Sequence, residues 1–241
     1  MKLIIPAALI LLCATASGYG GAFQNLQSSV SDISAGDFEF SMNHRFIGAA
    51  MKDDPLDSFF GLDDGANVRF GLRYFPINDL YIGFTHTRFG HMNTITAGWE
   101  HTISLLNTEL GAVAGYSSLK MTSNSDWEGG IVATIYVSAW FLSGRIRPVF
   151  NYAFDGYQDE SGPGLGLEIS ATGKISLMGE FFPYTGNDDP EDCFSFSGSY
   201  STWGHQFMLG FTNSASIGPQ GQLSGSSTSD LSVALSIRRL L

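Results

Sequence analysis

Hydrophobic and polar residues alternate with a period of two along most of the chain from Phe38 to the last residue. Successive side chains of a β-strand point to opposite faces, so this pattern predicts strands with one apolar and one polar face. In residues 38–46, phenylalanine and methionine occupy one face, while Glu39, Ser41 and Arg45 lie on the other. The alternation therefore predicts an all-β protein.

Twelve segments of this kind are separated by turn-forming residues. We predict strands near residues 38–46, 67–74, 80–87, 93–102, 109–117, 128–141, 145–154, 164–171, 174–183, 193–201, 205–212 and 230–239. An even number of strands of about ten residues is typical of barrels that cross an outer membrane at a tilt. The predicted fold is a single antiparallel up-and-down transmembrane β-barrel over residues 36–241.

The connections between the segments alternate between long and short, as expected for long external loops on one rim and short periplasmic turns on the other. Charge follows the same division. The long connections contain two bases, Lys52 and Lys120, and thirteen acids: Asp53, Asp54, Asp57, Asp63, Asp64, Asp126, Asp155, Asp159, Glu160, Asp188, Asp189, Glu191 and Asp192. We therefore expect a strongly acidic external rim.

A soluble β-sandwich or lipocalin-like barrel is the competing interpretation, because both also alternate. The outward set of a soluble barrel is rich in Lys and Glu, whereas the polar set here includes several Gly, Ser and Thr. Aromatic residues also recur near segment ends, as in the girdles of membrane barrels: Tyr74, Phe75, Tyr81, Phe89, Trp99, Trp127, Trp140, Phe154, Tyr184 and Trp203. We favour a membrane barrel with a wet, polar interior.

The N-terminus has the features of a secretory signal peptide, with one Lys, an apolar run and an Ala-Thr-Ala site. We predict a cleaved signal at residues 1–16, an extension at 17–35 that is periplasmic or luminal, and an outer-membrane location. Cleavage would leave Cys193 as the single cysteine, without a disulfide partner. The net charge of −11 argues against nucleic acid as a partner.

The face predicted to line the lumen carries seven basic and five acidic residues: Glu39, Arg45, Arg69, Arg73, Glu100, Glu109, Arg145, Arg147, Glu168, Lys174, Glu180 and Arg238. Buried charges are retained when they are paired or hydrated, so this set predicts either a mildly cation-lined pore or a salt-bridged closure of the barrel. Both alternatives stay open. Rings of arginine would favour anionic solutes, with Arg69, Arg73, Arg145 and Arg147 as first candidates.

No cofactor is expected, and a cation site at the external loops is a weaker hypothesis. Asp188, Asp189, Glu191 and Asp192 supply hard oxygen ligands for Ca²⁺ or Mg²⁺, but they lack the spacing of a twelve-residue calcium loop. A solvated acidic loop surface is the favoured explanation.

An enzyme would need a nucleophile beside a base and a group that orients the base. The histidines are His44, His86, His91, His101 and His205, and no Gly-x-Ser-x-Gly elbow is present. The strands next to His86 offer no outward serine. We therefore predict no catalysis, and a lipid-modifying enzyme is the least favoured reading.

Two stretches resemble an uncharacterised family of bacterial outer-membrane β-barrels. They are the His44-Arg45-Phe46 triplet with residues 59–72 (FFGLDDGANVRFGL), and residues 204–213 (GHQFMLGFTN). The resemblance implies an outer-membrane barrel and supplies no catalytic or ligand residues. The motif residues with polar side chains are His44, Arg45, Asp63, Asp64, Asn67, His205, Thr212 and Asn213. Those near external strand ends are placed to brace the loops, and Gly65 after Asp63-Asp64 fits a turn with positive φ.

A porin-like channel for small polar or anionic solutes is the function that the polar lumen favours. The alternative is a non-conducting structural or interaction barrel whose acidic loops bind cations or a partner. The expected partners of either are outer-membrane lipid and the barrel assembly machinery.

Overall fold

The computed structural model describes residues 19–30, 33–51, 59–120, 126–186 and 189–241. The strands are β1 Phe38–Phe46, β2 Ala66–Ile77, β3 Leu80–Thr87, β4 Met92–Ile103, β5 Thr108–Leu119, β6 Glu128–Ala139, β7 Ile146–Asp155, β8 Glu160–Thr172, β9 Ile175–Phe182, β10 Cys193–Ser201, β11 His205–Thr212 and β12 Ser232–Leu240. Twelve strands were predicted, and most boundaries agree within three residues. The largest difference is at β8, which begins four residues earlier than predicted.

Each strand pairs antiparallel with its neighbours in sequence, and β1 pairs with β12 to close the barrel. Seven residue pairs join these two strands, from Glu39 opposite Leu240 to Arg45 opposite Ala234. Closure pairs the edge of every strand, which is required in hydrocarbon because no water is present to hydrogen-bond a free backbone. The predicted closed antiparallel barrel is confirmed.

The outward face of the barrel is a continuous apolar band. Its members include Phe70, Leu72, Ile82, Phe84, Ile95, Ile131, Ile135, Phe150, Leu165, Leu167, Leu177, Phe181, Phe196, Phe207 and Leu209, all of which are exposed. A band of this extent on the outside of a closed barrel is the surface that meets lipid. Phe75 and Tyr81, predicted in the interfacial girdles, instead point inward and are buried.

The two rims of the barrel differ in the length of their connections, as the sequence predicts. Short connections at 78–79, 104–107, 140–145, 173–174 and 202–204 lie on the rim where β1 begins and β12 ends. The opposite rim carries the longer connections, including 47–65 and 213–231. We call the first rim inner and the second rim outer. No helix among the described residues has the length and apolar character needed to span a membrane.

The lipid-facing assignment predicts a depth-dependent cost for charge. Leu209, in the middle of β11, is 62% exposed, and Ile175 lies at the inner end of β9. Leu209→Arg should lower the free energy of unfolding by about 2–4 kcal/mol and Ile175→Arg by about 0–1 kcal/mol. Urea unfolding in lipid vesicles measures both values. Equal losses at the two positions would contradict this placement of the membrane.

Candidate functional site

Residues 19–30 lie inside the barrel and form what we call the N-terminal plug. They enter from the inner rim, where Ala35 and Gly36 hydrogen-bond to the β2–β3 hairpin. Ten of the twelve are buried, and Gly21 and Gln27 are partly buried. Of the two positions predicted for the extension, periplasmic or luminal, these residues take the luminal one. The predicted signal peptide lies outside the described residues.

An apolar patch of the lumen wall receives the plug. Phe23 and Leu26 pack against Val149, Met178, Phe182, Cys193 and Met208, which come from β7, β9, β10 and β11. Gly164 and Gly166 on β8 lie beneath them, and a Cβ at Gly166 would clash with the Leu26 side chain. The glycines therefore leave the room that the plug fills.

The plug backbone is recognised by buried polar side chains. Gln206 hydrogen-bonds both backbone groups of Ala22, since Oε1 accepts from N at 3.2 Å and Nε2 donates to O at 3.2 Å. Asn151 binds Gln27 in the same way, at 2.8 and 2.9 Å. Buried backbone polar groups are costly unless paired, so these side chains replace the strand partner that the plug lacks.

Charged groups hold the turn of the plug. Glu180 accepts hydrogen bonds from the backbone N–H of Gln24 at 2.5 Å and of Asn25 at 2.9 Å. Arg45 donates from Nη2 to the Gln24 carbonyl at 2.8 Å and to Asn25 Oδ1 at 3.3 Å. Charge-assisted hydrogen bonds are the stronger class, so Arg45 and Glu180 fix the deepest part of the plug.

Two further ion-pair clusters secure the inner end. Glu39 binds Arg73 at 2.6 Å and Arg238 at 3.5 Å, and it also accepts from the Tyr19 hydroxyl. Arg147 pairs with Glu168 at 2.8 Å and Glu109 at 3.2 Å. It also donates to the carbonyls of Gly21 and Ser29 in the plug.

Two residues of the predicted lumen set lie elsewhere. Arg145 and Lys174 are exposed in the turns before β7 and β9, so they do not line the lumen. The alternation predicts both as the first residue of a strand, but each strand begins one residue later, and alternation carries no information about a turn residue. The other ten residues of the predicted lumen set point inward. Five are basic and five are acidic, so the lumen set carries no net charge instead of the predicted excess of two positive charges.

The outer mouth is covered by residues 213–231, which we call the outer cap. Asn67 donates to the Ala215 carbonyl at 2.9 Å, and Gln220 Nε2 reaches Thr134 Oγ1 at 2.8 Å across the lumen. Gly218 N lies 3.4 Å from Asn25 Oδ1 of the plug. Segments from both ends of the barrel therefore meet inside it.

Several family-motif residues hold the loops near this mouth. Asn213 donates to the carbonyls of Asp192 and Thr228 and accepts from Phe194 N, while Thr212 donates to the Phe194 carbonyl. Gly65 has a φ of +93°, as expected at the turn after Asp63 and Asp64. His44 and His205 point outward, each close to a phenylalanine ring two residues on.

A cavity of about 280 Å³ remains between the plug and the opposite wall. Its wall is the inward face of β1 to β6 with Arg238 of β12, its outer end is formed by Phe89, Tyr157 and the cap, and residues 24–27 of the plug form one side. At the inner end, Gln27 Nε2 donates to the Tyr81 hydroxyl at 3.1 Å. Tyr81 lies flat on the wall because Gly98, next to its ring, has no side chain.

The described acidic residues do not form a metal centre. No group of three or more His, Cys, Asp or Glu side chains in the described ranges is arranged to hold an ion. Asp192 Oδ1 accepts a hydrogen bond from Tyr184 N at 2.8 Å and so serves its own loop. Asp188 lies outside the described residues, as do Asp53, Asp54 and Asp57. Calcium or magnesium binding stays a hypothesis.

Two histidines have a neighbour that could orient a catalytic base. His101 Nδ1 lies 2.9 Å from Asp79 Oδ2 near the β2–β3 turn. His86 Nδ1 lies 2.9 Å from Asn93 Oδ1 on the lipid-facing side. Ser118 lies beyond Asn93 on β5, two strands from His86, and its hydroxyl donates to the Asn93 carbonyl. In the part of the chain that the structure describes, neither His86 nor His101 hydrogen-bonds a serine or threonine hydroxyl, the contact that activates such a nucleophile. Each histidine therefore has a group that could orient it as a base, but no hydrogen-bonded serine or threonine that it could activate.

The fold and lumen define a membrane-spanning β-barrel of the outer-membrane type. Residues 21–123 match the family model of a membrane-bound beta barrel domain (DUF5777). The resemblance to an uncharacterised barrel family is confirmed over that range, which includes the first motif stretch. A comparison with curated protein sequences gives no match.

Among solved structures, the chain is similar to a KdgM porin, with a TM-score of 0.52 and 7% identity over 84% of this chain and 98% of that one. Omp33 of Acinetobacter baumannii gives a TM-score of 0.48 and 9% identity over 86% and 98% of the two chains. Outer membrane phospholipase A from Escherichia coli gives 0.45 and 10% over 86% and 90%. At such identity, the likeness to the porin shows the barrel fold alone.

Gly166 provides a test of the plug. Gly166→Val should displace Leu26, and because overpacking costs about 1–3 kcal/mol, the plug should leave its patch roughly tenfold or more often. Cys193 is fully buried under the plug, so the rate at which a water-soluble thiol reagent labels it measures this opening.

Gly179→Val is the matched control, because a Cβ at Gly179 meets nothing within 4 Å. Its labelling rate should equal that of the unaltered protein. Faster labelling in the control, or no change in Gly166→Val, would contradict the role assigned to Gly166.

Proposed function

We propose that the protein is a porin-like outer-membrane channel for small polar solutes, held closed by its N-terminal plug. The cavity beside the plug carries the proposal. It extends from beneath the outer cap down to Arg73 and Tyr81 near the inner rim, and its wall includes five threonines and three arginines beside apolar residues such as Val113 and Val132. A lumen without a transport role could be filled by apolar packing, as the other half is.

The obstruction at the inner end is made by the plug. Tyr19, Gln27 and Ser29 of the plug contact Glu39, Tyr81 and Tyr136 of the wall. The plug is joined to the wall by side-chain contacts, and movement of such a segment costs much less than separating two strands of a closed barrel. Displacing residues 19–30 would join the cavity to the periplasmic side.

The buried ion pairs fit a closure that can reopen. Glu39, Arg73 and Arg238 belong to the wall, so their mutual pairing persists when Tyr19 leaves. Breaking one partner of a buried pair costs about 3–5 kcal/mol, and an opening that keeps wall pairs intact avoids that cost. We propose no enzymatic activity, in keeping with the separation of His86 from Ser118.

Single-channel recording in planar lipid bilayers tests this function. The unaltered protein should open rarely, and Gly166→Val should raise the open fraction about tenfold, in parallel with the labelling of Cys193. Deletion of residues 19–30 should raise the open fraction further than Gly166→Val does, because the outer cap is then the remaining cover of the lumen. Gly179→Val should behave like the unaltered protein, and circular dichroism should show the same sheet content in all variants.

Absence of conductance steps in the deletion variant would refute the channel and favour the non-conducting interaction barrel. The acidic outer loops would then be the surface to examine, by cross-linking in whole membranes.

A further inference from the structure

We propose that the luminal cavity is a binding site for a small hydroxylated anion, such as a sugar acid. This inference rests on the proposed function, because it names the solute class for the same lumen. It starts from the strand register, which places charged and hydroxyl side chains in rows across β1, β2 and β3.

Three rows form the wall of the cavity. Asn43, Arg69 and Thr87 are paired across the three strands in the row nearest the outer rim. Two residues further in, Ser41, Gly71 and Thr85 form the second row, and Arg238 stands opposite Ser41 on β12. The third row is Glu39, Arg73 and Gly83.

The two glycines shape a concave surface at the centre of these rows. A Cβ at Gly71 would approach Ser41 Oγ to 2.5 Å, and one at Gly83 would approach Thr96 Oγ1 to 2.7 Å. Arg69 and Arg73 flank Gly71 at about 7 Å along the strand on either side. A solute against Gly71 would therefore lie between the positions of two arginines on the same strand.

The charge of the wall favours an anion. Arg69, Arg73 and Arg238 line the cavity with two carboxylates, those of Glu39 and Asp155. Glu39 is already shared by Arg73 and Arg238, and Asp155 Oδ1 accepts hydrogen bonds from Tyr157 N and Gln158 N in its own turn. Among the described residues, the hydrogen bond of Arg69 is to a carbonyl, that of Ile217 at 3.2 Å. Each guanidinium group has five N–H donors, and not all of them are used in this arrangement. Its planar geometry also matches that of a carboxylate.

Several residues that line the cavity carry unpartnered polar atoms. Within the described ranges, six buried side-chain atoms of its lining residues have no hydrogen-bond partner: Gln24 Nε2, Asn43 Oδ1, Arg73 Nη1, Thr85 Oγ1, Thr87 Oγ1 and Arg238 Nε. Gln24, Asn43 and Thr87 are each at least 95% buried. Buried polar atoms are normally paired, and this set of donors and acceptors suits a molecule that carries both hydroxyl groups and an anionic group.

The size of the cavity limits the solute. Its volume of about 280 Å³ is just below the range of about 300–1,000 Å³ typical of ligand pockets. A monosaccharide acid is of suitable size, whereas a long oligomer would require the plug to move.

Isothermal titration calorimetry of the full chain in detergent tests the site with gluconate as probe. Glucose, which lacks the charge, and inorganic phosphate, which lacks the carbon-bound hydroxyls, are the comparison ligands. Gluconate should bind at least about tenfold more tightly than either, since charge-assisted and neutral hydrogen bonds both contribute. Equal binding of gluconate and glucose, or no binding of gluconate, would overturn the proposal.

Variants locate the site. Arg69→Gln should weaken gluconate binding about tenfold or more, and Thr87→Val about threefold to tenfold, with no loss of thermal stability because the Thr87 hydroxyl is unpartnered in the fold. Arg145→Gln removes an exposed charge in the β6–β7 turn and should bind like the unaltered protein. Unchanged affinity in both Arg69→Gln and Thr87→Val would overturn the site.

The two proposals fail separately. Gluconate binding without conductance in the plug deletion would support the site and refute the channel. Conductance without gluconate binding would refute the site and leave the channel.

Discussion

Backbone hydrogen bonding in hydrocarbon is the constraint on which this structure depends. Each strand must be paired on both edges, so β1 has to meet β12 and the barrel must close. Closure with twelve strands fixes the circumference, and a barrel wider than about eight strands encloses more space than its own side chains fill. The interior therefore has to hold something else, whether solvent, solute or another segment of the chain.

The chain fills one side of that space itself. On the side of β7 to β11, Phe23 and Leu26 meet an apolar patch, and the wall supplies Asn151, Glu180 and Gln206 for the plug backbone. The opposite side keeps polar and small residues and encloses the cavity. The side of β7 to β11 therefore serves to close the lumen, and the side of β1 to β6 is the one proposed to bind a solute.

The same division explains why ten luminal charges do not produce a strongly charged pore. Glu39 with Arg73 and Arg238, and Arg147 with Glu109 and Glu168, neutralise one another near the inner rim. Arg45 and Glu180 are engaged by the plug. Arg69 lies apart from these clusters, and the proposed specificity for an anion depends on it.

The sequence by itself determined the strands, the rims and the inward set, because alternation, turn residues and loop length are local properties of the chain. It misplaced Arg145 and Lys174, which a shift of one residue at a strand start moves into turns. Asn151 and Gln206 follow the same inward alternation and could have been recognised as luminal. The plug, in contrast, shows no period in Tyr19 to Val30, and its position depends on contacts with residues more than a hundred positions away. Only the tertiary structure decided that the lumen is closed, because closure depends on how distant strands combine to form one cavity.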